Sequence, residues 1–166
     1  MDMNFSRSSL LLVAQGYLSE QQARLTELDK SIEWSEDRVS GKGVFDPVRI
    51  GQVITNFLSS AIKFSPAGKS IELAVSGTNI TNDVGEQVDA LSFSVRDYGV
   101  GIPEAELETI FDKFSQSSAT KTEAGGTGLG LPISEGIIKA HQGKIWAENI
   151  PGGGAIFTFT IPLENN

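Results

Sequence analysis

DPVRIGQVITNFLSSAIKFSP, residues 46–66, is the stretch whose reading decides the fold. Asp46 offers a side-chain acceptor to the unpaired N–H groups at a helix start, and Pro47 supplies a first helical residue with φ already set. Ile50, Val53, Ile54, Phe57, Leu58, Ala61 and Ile62 then recur at helical spacing until Pro66-Ala67-Gly68 breaks the pattern, which predicts a helix from Pro47 to about Phe64. The same helix carries Asn56, Ser60 and Lys63 at i, i+4 and i+7, so these polar side chains share one face. Taken alone, such a trio is more often the solvent side of an amphipathic helix than a site.

Outward from this helix, Ile71, Leu73 and Val75, then Leu91, Phe93 and Val95, alternate with more polar neighbours. They predict two half-buried antiparallel strands around a polar connection from Gly77 to Asp89. Upstream, Ser31–Trp34 and Val44-Phe45 read as short extended pieces with a turn at Ser40–Gly43. Downstream, Pro103–Ile110 reads as a short helix, Ser115–Gly128 as a loop, and Leu129–Ala140 as a helix with Ile133, Ile137 and Ile138 facing inward. Lys144–Glu148 and Ala155–Ile161 close the chain as strands around the turn Pro151-Gly152-Gly153-Gly154. Residues 1–26 place Leu10, Val13, Tyr17 and Leu18 near helical spacing, but MDMNFSRSS reads as a polar start without cap or staple. They are expected to be a helical lead-in, the end of a preceding region, with residues 27–166 as the domain proper. Hairpin-linked strands with helices inserted between pairs predict an α+β fold, one mixed sheet covered on one face by helices.

Composition bounds the function. At 166 residues, 39% hydrophobic and 20% charged, the chain suits one soluble domain around a single core. A formal charge of -8 argues against nucleic acid and anionic membranes as partners. The absence of cysteine excludes disulfides, thiol nucleophiles and cysteine-held metals. The longest apolar run, Leu10 to Ala14, falls far short of the roughly 20 residues a bilayer requires.

Two further stretches carry chemistry. In SVRDYGVGIP, residues 94–103, a strand ends at Asp97, and Gly99 and Gly101 follow at alternate positions. Such a backbone can turn sharply and admit a flat ligand, and Asp97 could accept from an exocyclic amine; a plain Asx turn reads equally well. In EAGGTGLGLPIS, residues 123–134, Gly125, Gly126, Gly128 and Gly130 lead into a helix. Backbone N–H groups and the positive end of the helix dipole there suit an anion. No Lys-Ser/Thr follows the glycines, so this is not a Walker loop. The single histidine, His141, ends the predicted helix before Gln142-Gly143, where an imidazole suits the negative end of the dipole.

In their order and spacing these stretches resemble the catalytic and ATP-binding domain of sensor histidine kinases, in the superfamily that also holds gyrase-type and chaperone-type ATPases. Asp46–Pro66 resembles the family's N box, Asp97-Tyr98-Gly99-Val100-Gly101 its first glycine box, Phe111-Asp112-Lys113-Phe114 its F box, and Gly126-Thr127-Gly128-Leu129-Gly130-Leu131 its second glycine box. The resemblance runs from about residue 27 to 163. It implies a two-layer α/β sandwich of the Bergerat type that binds ATP with Mg²⁺, transfers the γ-phosphate to a histidine on a separate dimerisation hairpin, and releases ADP. It implies a response regulator downstream and a cytoplasmic location, with no direct membrane contact for this domain.

By the same resemblance Asp97 binds the adenine amine, with Gly99, Gly101 and Ile102 at the base. Asn56 and Lys63 face the phosphates as the catalytic pair, and Phe64 is the aromatic beside the nucleotide. Ser115–Gly125 is a lid hinged on Phe111 and Phe114, and Gly126, Thr127, Gly128, Leu129, Gly130 and Leu131 form the phosphate loop. Mg²⁺ falls to Asn56 and, less directly, Ser60. Ser60 is the departure: the family has a second Asn there. A shorter hydroxyl side chain fits octahedral geometry less easily, so Mg-dependent catalysis is expected to be weakened. The alternative is a degenerate nucleotide-binding or scaffold module. A gyrase- or chaperone-type ATPase is disfavoured, because those proteins carry a water-activating Glu at the place of Asn56.

Overall fold

The computed structural model describes residues 2–107 and 130–164. Asp46 starts the central helix as expected: its Oδ1 accepts from the N–H groups of Val48 and Arg49, each at 3.0 Å. Its Oδ2 accepts from the Asn4 N–H at 2.8 Å. Burial alone would raise the Asp46 pKa, but these N–H bonds and the nearby His141 outweigh it and hold the carboxyl below its ordinary value. The helix, α2, runs Pro47–Phe64 and buries Ile50, Val53, Ile54, Phe57, Leu58, Ala61 and Ile62.

Around it the chain forms β1 (Ser6–Ser9), α1 (Leu10–Glu27), β2 (Ser31–Trp34) and β3 (Lys42–Phe45) before α2. After α2 come β4 (Ser70–Thr81), β5 (Gln87–Arg96), a 3-10 turn at Glu104–Glu106, α3 (Gly130–Ala140), β6 (Lys144–Asn149) and β7 (Ala155–Pro162). The main sheet has the order β2-β4-β5-β7-β6. β2 lies parallel to β4, and every other neighbour is antiparallel. This is the mixed, mainly antiparallel sheet the sequence predicts, with α2 and α3 packed on it and α1 packed on α2. Phe57 of α2 packs between Phe157 and Phe159, at 5.6 and 5.9 Å between ring centroids, and Phe159 meets Phe93 at 5.5 Å. Each such ring contributes about 1.5–3 kcal/mol by leaving water.

The structure corrects four expectations. The N-terminal stretch is capped after all: Ser9 Oγ accepts from the Leu12 N–H at 3.2 Å, and β1 pairs antiparallel with β3. Leu10, Ala14 and Leu25 of α1 are fully buried, so this helix contributes to the core. The connection expected from Gly77 to Asp89 is mostly strand, with cross-strand pairs from Gly77↔Leu91 to Thr81↔Gln87. Its polar residues mark a mostly exposed part of that ladder, and its turn is held by Asn82 Oδ1, which accepts from Val84 and Glu86. Ile133 does not face inward; it is 51% exposed. The inward register of α3 is set by Ser134, Ile137, Ile138 and the adjoining His141, all fully buried, and Ile133 lies about a quarter turn away from them. Of the helix expected over Pro103–Ile110 the structure has the 3-10 turn, and residues 108–110 lie outside the described residues. Among the described residues no helix is long and apolar enough to cross a membrane.

Candidate functional site

β5 ends at Arg96, and the next residue, Asp97, is 5% exposed. Its Oδ1 accepts two backbone N–H bonds, from Gly99 at 2.9 Å and Ala155 at 3.3 Å, while its own N–H donates to the Ala155 carbonyl at 3.0 Å. Its Oδ2 accepts no hydrogen bond from the described residues. Burial pushes the Asp97 carboxyl above its ordinary pKa, against the pull of the Gly99 and Ala155 N–H groups and of Arg96. A desolvated carboxylate with one oxygen held and the other open is a strong acceptor for an incoming N–H donor.

The loop that follows is shaped by close approach. A Cβ on Gly99 would stand 2.4 Å from the carbonyl oxygen of Phe64, so only glycine lets the loop lie against the C-terminal end of α2. Gly101 has φ +79°, and Ile102 beyond it is buried. Asp97, Gly99, Gly101, Ile102 and Phe64 therefore stand together at one end of α2. Asn56 lies eight residues before Phe64, about 12 Å away along the helix axis. There its Nδ2 donates to Ser134 Oγ at 3.0 Å, and Ser134 is a fully buried hydroxyl on α3. Ser60 and Phe64 are half-buried on the same face of α2, and Lys63 is exposed in its last turn.

Two of the stretches the sequence singles out thus meet on one helix, the end of β5 at its C-terminal end and the polar face along it; of the third stretch only residues 130–134 are described, and its Ser134 meets Asn56. Gly130 opens α3, and Leu131 packs half-buried against the core. Phe111, Phe114, Gly126, Thr127, Gly128, Leu129 and the expected lid Ser115–Gly125 lie outside the described residues. Asn56 and Ser60 are hard oxygen donors, the type Mg²⁺ takes. Among the described residues no group of three or more His, Cys, Asp or Glu could hold a metal ion. That donor set fits a cation held mostly by phosphate oxygens and water, with one or two protein ligands.

His141 is fully buried and structural. Its Nδ1 lies 2.9 Å from the Ile137 carbonyl, and its Nε2 accepts from the Asp46 N–H at 3.0 Å, which assigns the proton to Nδ1. The ring thereby ties the end of α3 to the start of α2, and Phe5 meets it edge-on at 5.3 Å. Burial lowers its pKa against the opposing pull of the Ile137 bond and Asp46, keeping it neutral.

Two site residues escape sequence reasoning. Ser134 reads there only as a helix residue, and its bond to Asn56 requires knowing that α3 crosses α2 at that level. Asn149 lies one residue past the strand expected over Lys144–Glu148 and drew no reading of its own. In the structure its Oδ1 accepts from the Ile102 N–H at 2.7 Å and its Nδ2 donates to the Ile102 carbonyl. The one available signal was an Asn directly before the turn Ile150-Pro151-Gly152-Gly153-Gly154.

The family model described as "Histidine kinase-, DNA gyrase B-, and HSP90-like ATPase" matches residues 45–165. The chain belongs to this family. Among curated relatives of this histidine kinase-like ATPase, the sensor histidine kinase WalK of Bacillus subtilis is 41% identical over 120 residues, 72% of this chain and 18% of WalK. The chain thus spans less than a fifth of that relative's length. Among solved structures, the nucleotide-free catalytic domain of the histidine kinase ThkA superposes with a TM-score of 0.79 at 27% identity, over 99% of this chain and 97% of that domain. Full-length ShkA in complex with AMPPNP superposes with a TM-score of 0.80 at 25% identity, over 100% of this chain and 32% of ShkA.

Proposed function

We propose that the chain is the ATP-binding catalytic domain of a two-component sensor histidine kinase, transferring the γ-phosphate of ATP to a histidine on a separate hairpin domain and releasing ADP. The observation that carries this reading is the open Oδ2 of buried Asp97, set beside a glycine turn that lies against the C-terminal end of the helix presenting Asn56. Asp97 would accept from the adenine amine, with Gly99, Gly101 and Ile102 along the base and Phe64 beside it. Asn56, with Ser60 through water, would hold Mg²⁺, and exposed Lys63 would balance phosphate charge. The metal, when bound, neutralises charge developing between the phosphates. The remaining work of the domain is alignment, since phosphoryl transfer depends chiefly on positioning and charge stabilisation.

The acceptor histidine and its hairpin are partners of this domain, as is a response regulator that receives the phosphate. Residues 1–26 would lead in from that hairpin region, and the domain would work in the cytoplasm, whether or not the full-length protein is anchored. Phe111, Phe114 and residues 115–131 supply the lid and phosphate loop in this reading. His141 cannot serve as acceptor, because both ring nitrogens are engaged and the residue is fully buried. The test is transfer of labelled phosphate from Mg-ATP to the isolated hairpin domain of the same protein. Transfer lost on Asn56→Ala is expected, and ATP binding with no transfer to any hairpin histidine would refute the kinase assignment.

A further inference from the structure

We infer that Asn149, at the end of β6, is a positioning residue for the nucleotide base, setting affinity from outside the pocket by fixing the loop that forms its edge. The inference rests on the nucleotide site proposed above. Asn149 engages both sides of one residue's backbone, accepting from the Ile102 N–H at 2.7 Å and donating to the Ile102 carbonyl. A primary carboxamide alone among short side chains offers an acceptor and a donor side by side in this way.

The loop needs such a restraint. Gly101, next to the clamped residue, sits at φ +79°, and glycine crosses between backbone regions more freely than any other residue. The carboxamide lies flush on it: a Cβ at Gly101 would stand 2.9 Å from Asn149 Oδ1. The other end of the loop is held by the same hairpin, since Ala155, the first residue of β7, exchanges bonds with Asp97 in both directions. Between Asn149 and Ala155 the turn is closed by Ile150 N–H to the Gly154 carbonyl at 3.1 Å. The β6–β7 turn therefore grips the loop at Asp97 and at Ile102 and fixes the spacing between the base's acceptor and the buried apolar residue beside it.

Asn149 is itself exposed, so it adds little to core packing. Its removal should leave the fold intact and lower the share of molecules whose loop is ready for the base. Apparent affinity falls in proportion to that share.

The experiment measures the Kd of ADP, with and without Mg²⁺, for wild type, Asn149→Ala and the neighbouring control Glu148→Ala, together with ligand-free melting temperatures and hydrogen exchange at the Ile102 amide. Asn149→Ala should weaken ADP about tenfold by the same factor with and without Mg²⁺, with a melting temperature close to wild type and faster exchange at Ile102. Glu148→Ala should match wild type. An unchanged Kd for Asn149→Ala, a loss seen only with Mg²⁺, or a variant that fails to fold would each overturn the inference. Failure of wild type to bind ADP would instead overturn the nucleotide site on which it rests.

Discussion

Replacing Asp97 by Asn separates a ligand-binding carboxylate from a turn cap. The substitution keeps Oδ1, so the bonds from Gly99 at 2.9 Å and Ala155 at 3.3 Å can both persist, weakened by loss of the charge. It also removes a charge that burial disfavours. Because the folded-state pKa of Asp97 is raised, ionisation costs stability as pH climbs above the ordinary Asp value of about 3.9, and Asn escapes that cost. The two effects oppose one another, so the net change in stability should stay within about 1 kcal/mol, or about 2–4 °C in melting temperature for a chain of this size. Binding has no such compensation. The open Oδ2 becomes an NH₂ donor facing the donor it is proposed to accept from. Loss of a hydrogen bond to a charged group, about 1.5–3 kcal/mol, corresponds to roughly 10- to 100-fold in affinity. Calorimetric titration of ADP into wild type and Asp97→Asn, beside ligand-free melting curves, measures both. Equal ADP affinity in the two proteins, or a variant that unfolds in proportion to its lost binding, would refute the role given to Asp97.

The other predictions concern stability and the metal. Gly51→Ala should destabilise by about 1–2 kcal/mol despite alanine's better helix propensity, because the new Cβ would stand 2.2 Å from Tyr17 Cε2 of α1; urea titration should show the penalty shrinking in a Tyr17→Ala background. Burial lowers the pKa of His141, so the unfolded chain takes up a proton near pH 6.5 that the folded protein refuses. Stability should therefore fall as pH drops from about 6.5, and urea midpoints across pH 5–7.5 should show a flatter profile for His141→Gln. Ser60→Asn should strengthen Mg-dependent nucleotide binding, by up to the 10- to 100-fold typical of metal-supporting partners; an ADP titration with and without Mg²⁺ reads this directly, and no gain would clear Ser60 as the limiting residue.

What could be read from the sequence follows from where each signal is encoded. α2 was legible because Asp46-Pro47, an unbroken apolar period and Pro66 all act within one local segment. Asp97 and the paired glycines were legible as a turn with an open acceptor, yet the contact between Gly99 and the Phe64 carbonyl depends on how β5 meets α2. β1 was not legible, because three serines and an arginine become a strand only through pairing with β3. The Gly77–Asp89 stretch misled for a related reason: polarity there reflects an exposed stretch of ladder, not a loop. Ile133 went wrong because a period of 3.6 allows neighbouring stripes, and the core chose the one through Ser134 and His141. Asn149 and Ser134 act through partners 47 and 78 residues away, a separation that no local pattern records.

The most direct test of the account is residue-resolved amide NMR during titration with ADP. One set of shifts should move together: the amides of Gly99, Gly101 and Ile102 at one end of α2, and the Asn56 side chain with Ser134 at the other, saturating at a single Kd. Shifts confined to one end, or two ends saturating at different concentrations, would contradict a single nucleotide site laid along that helix.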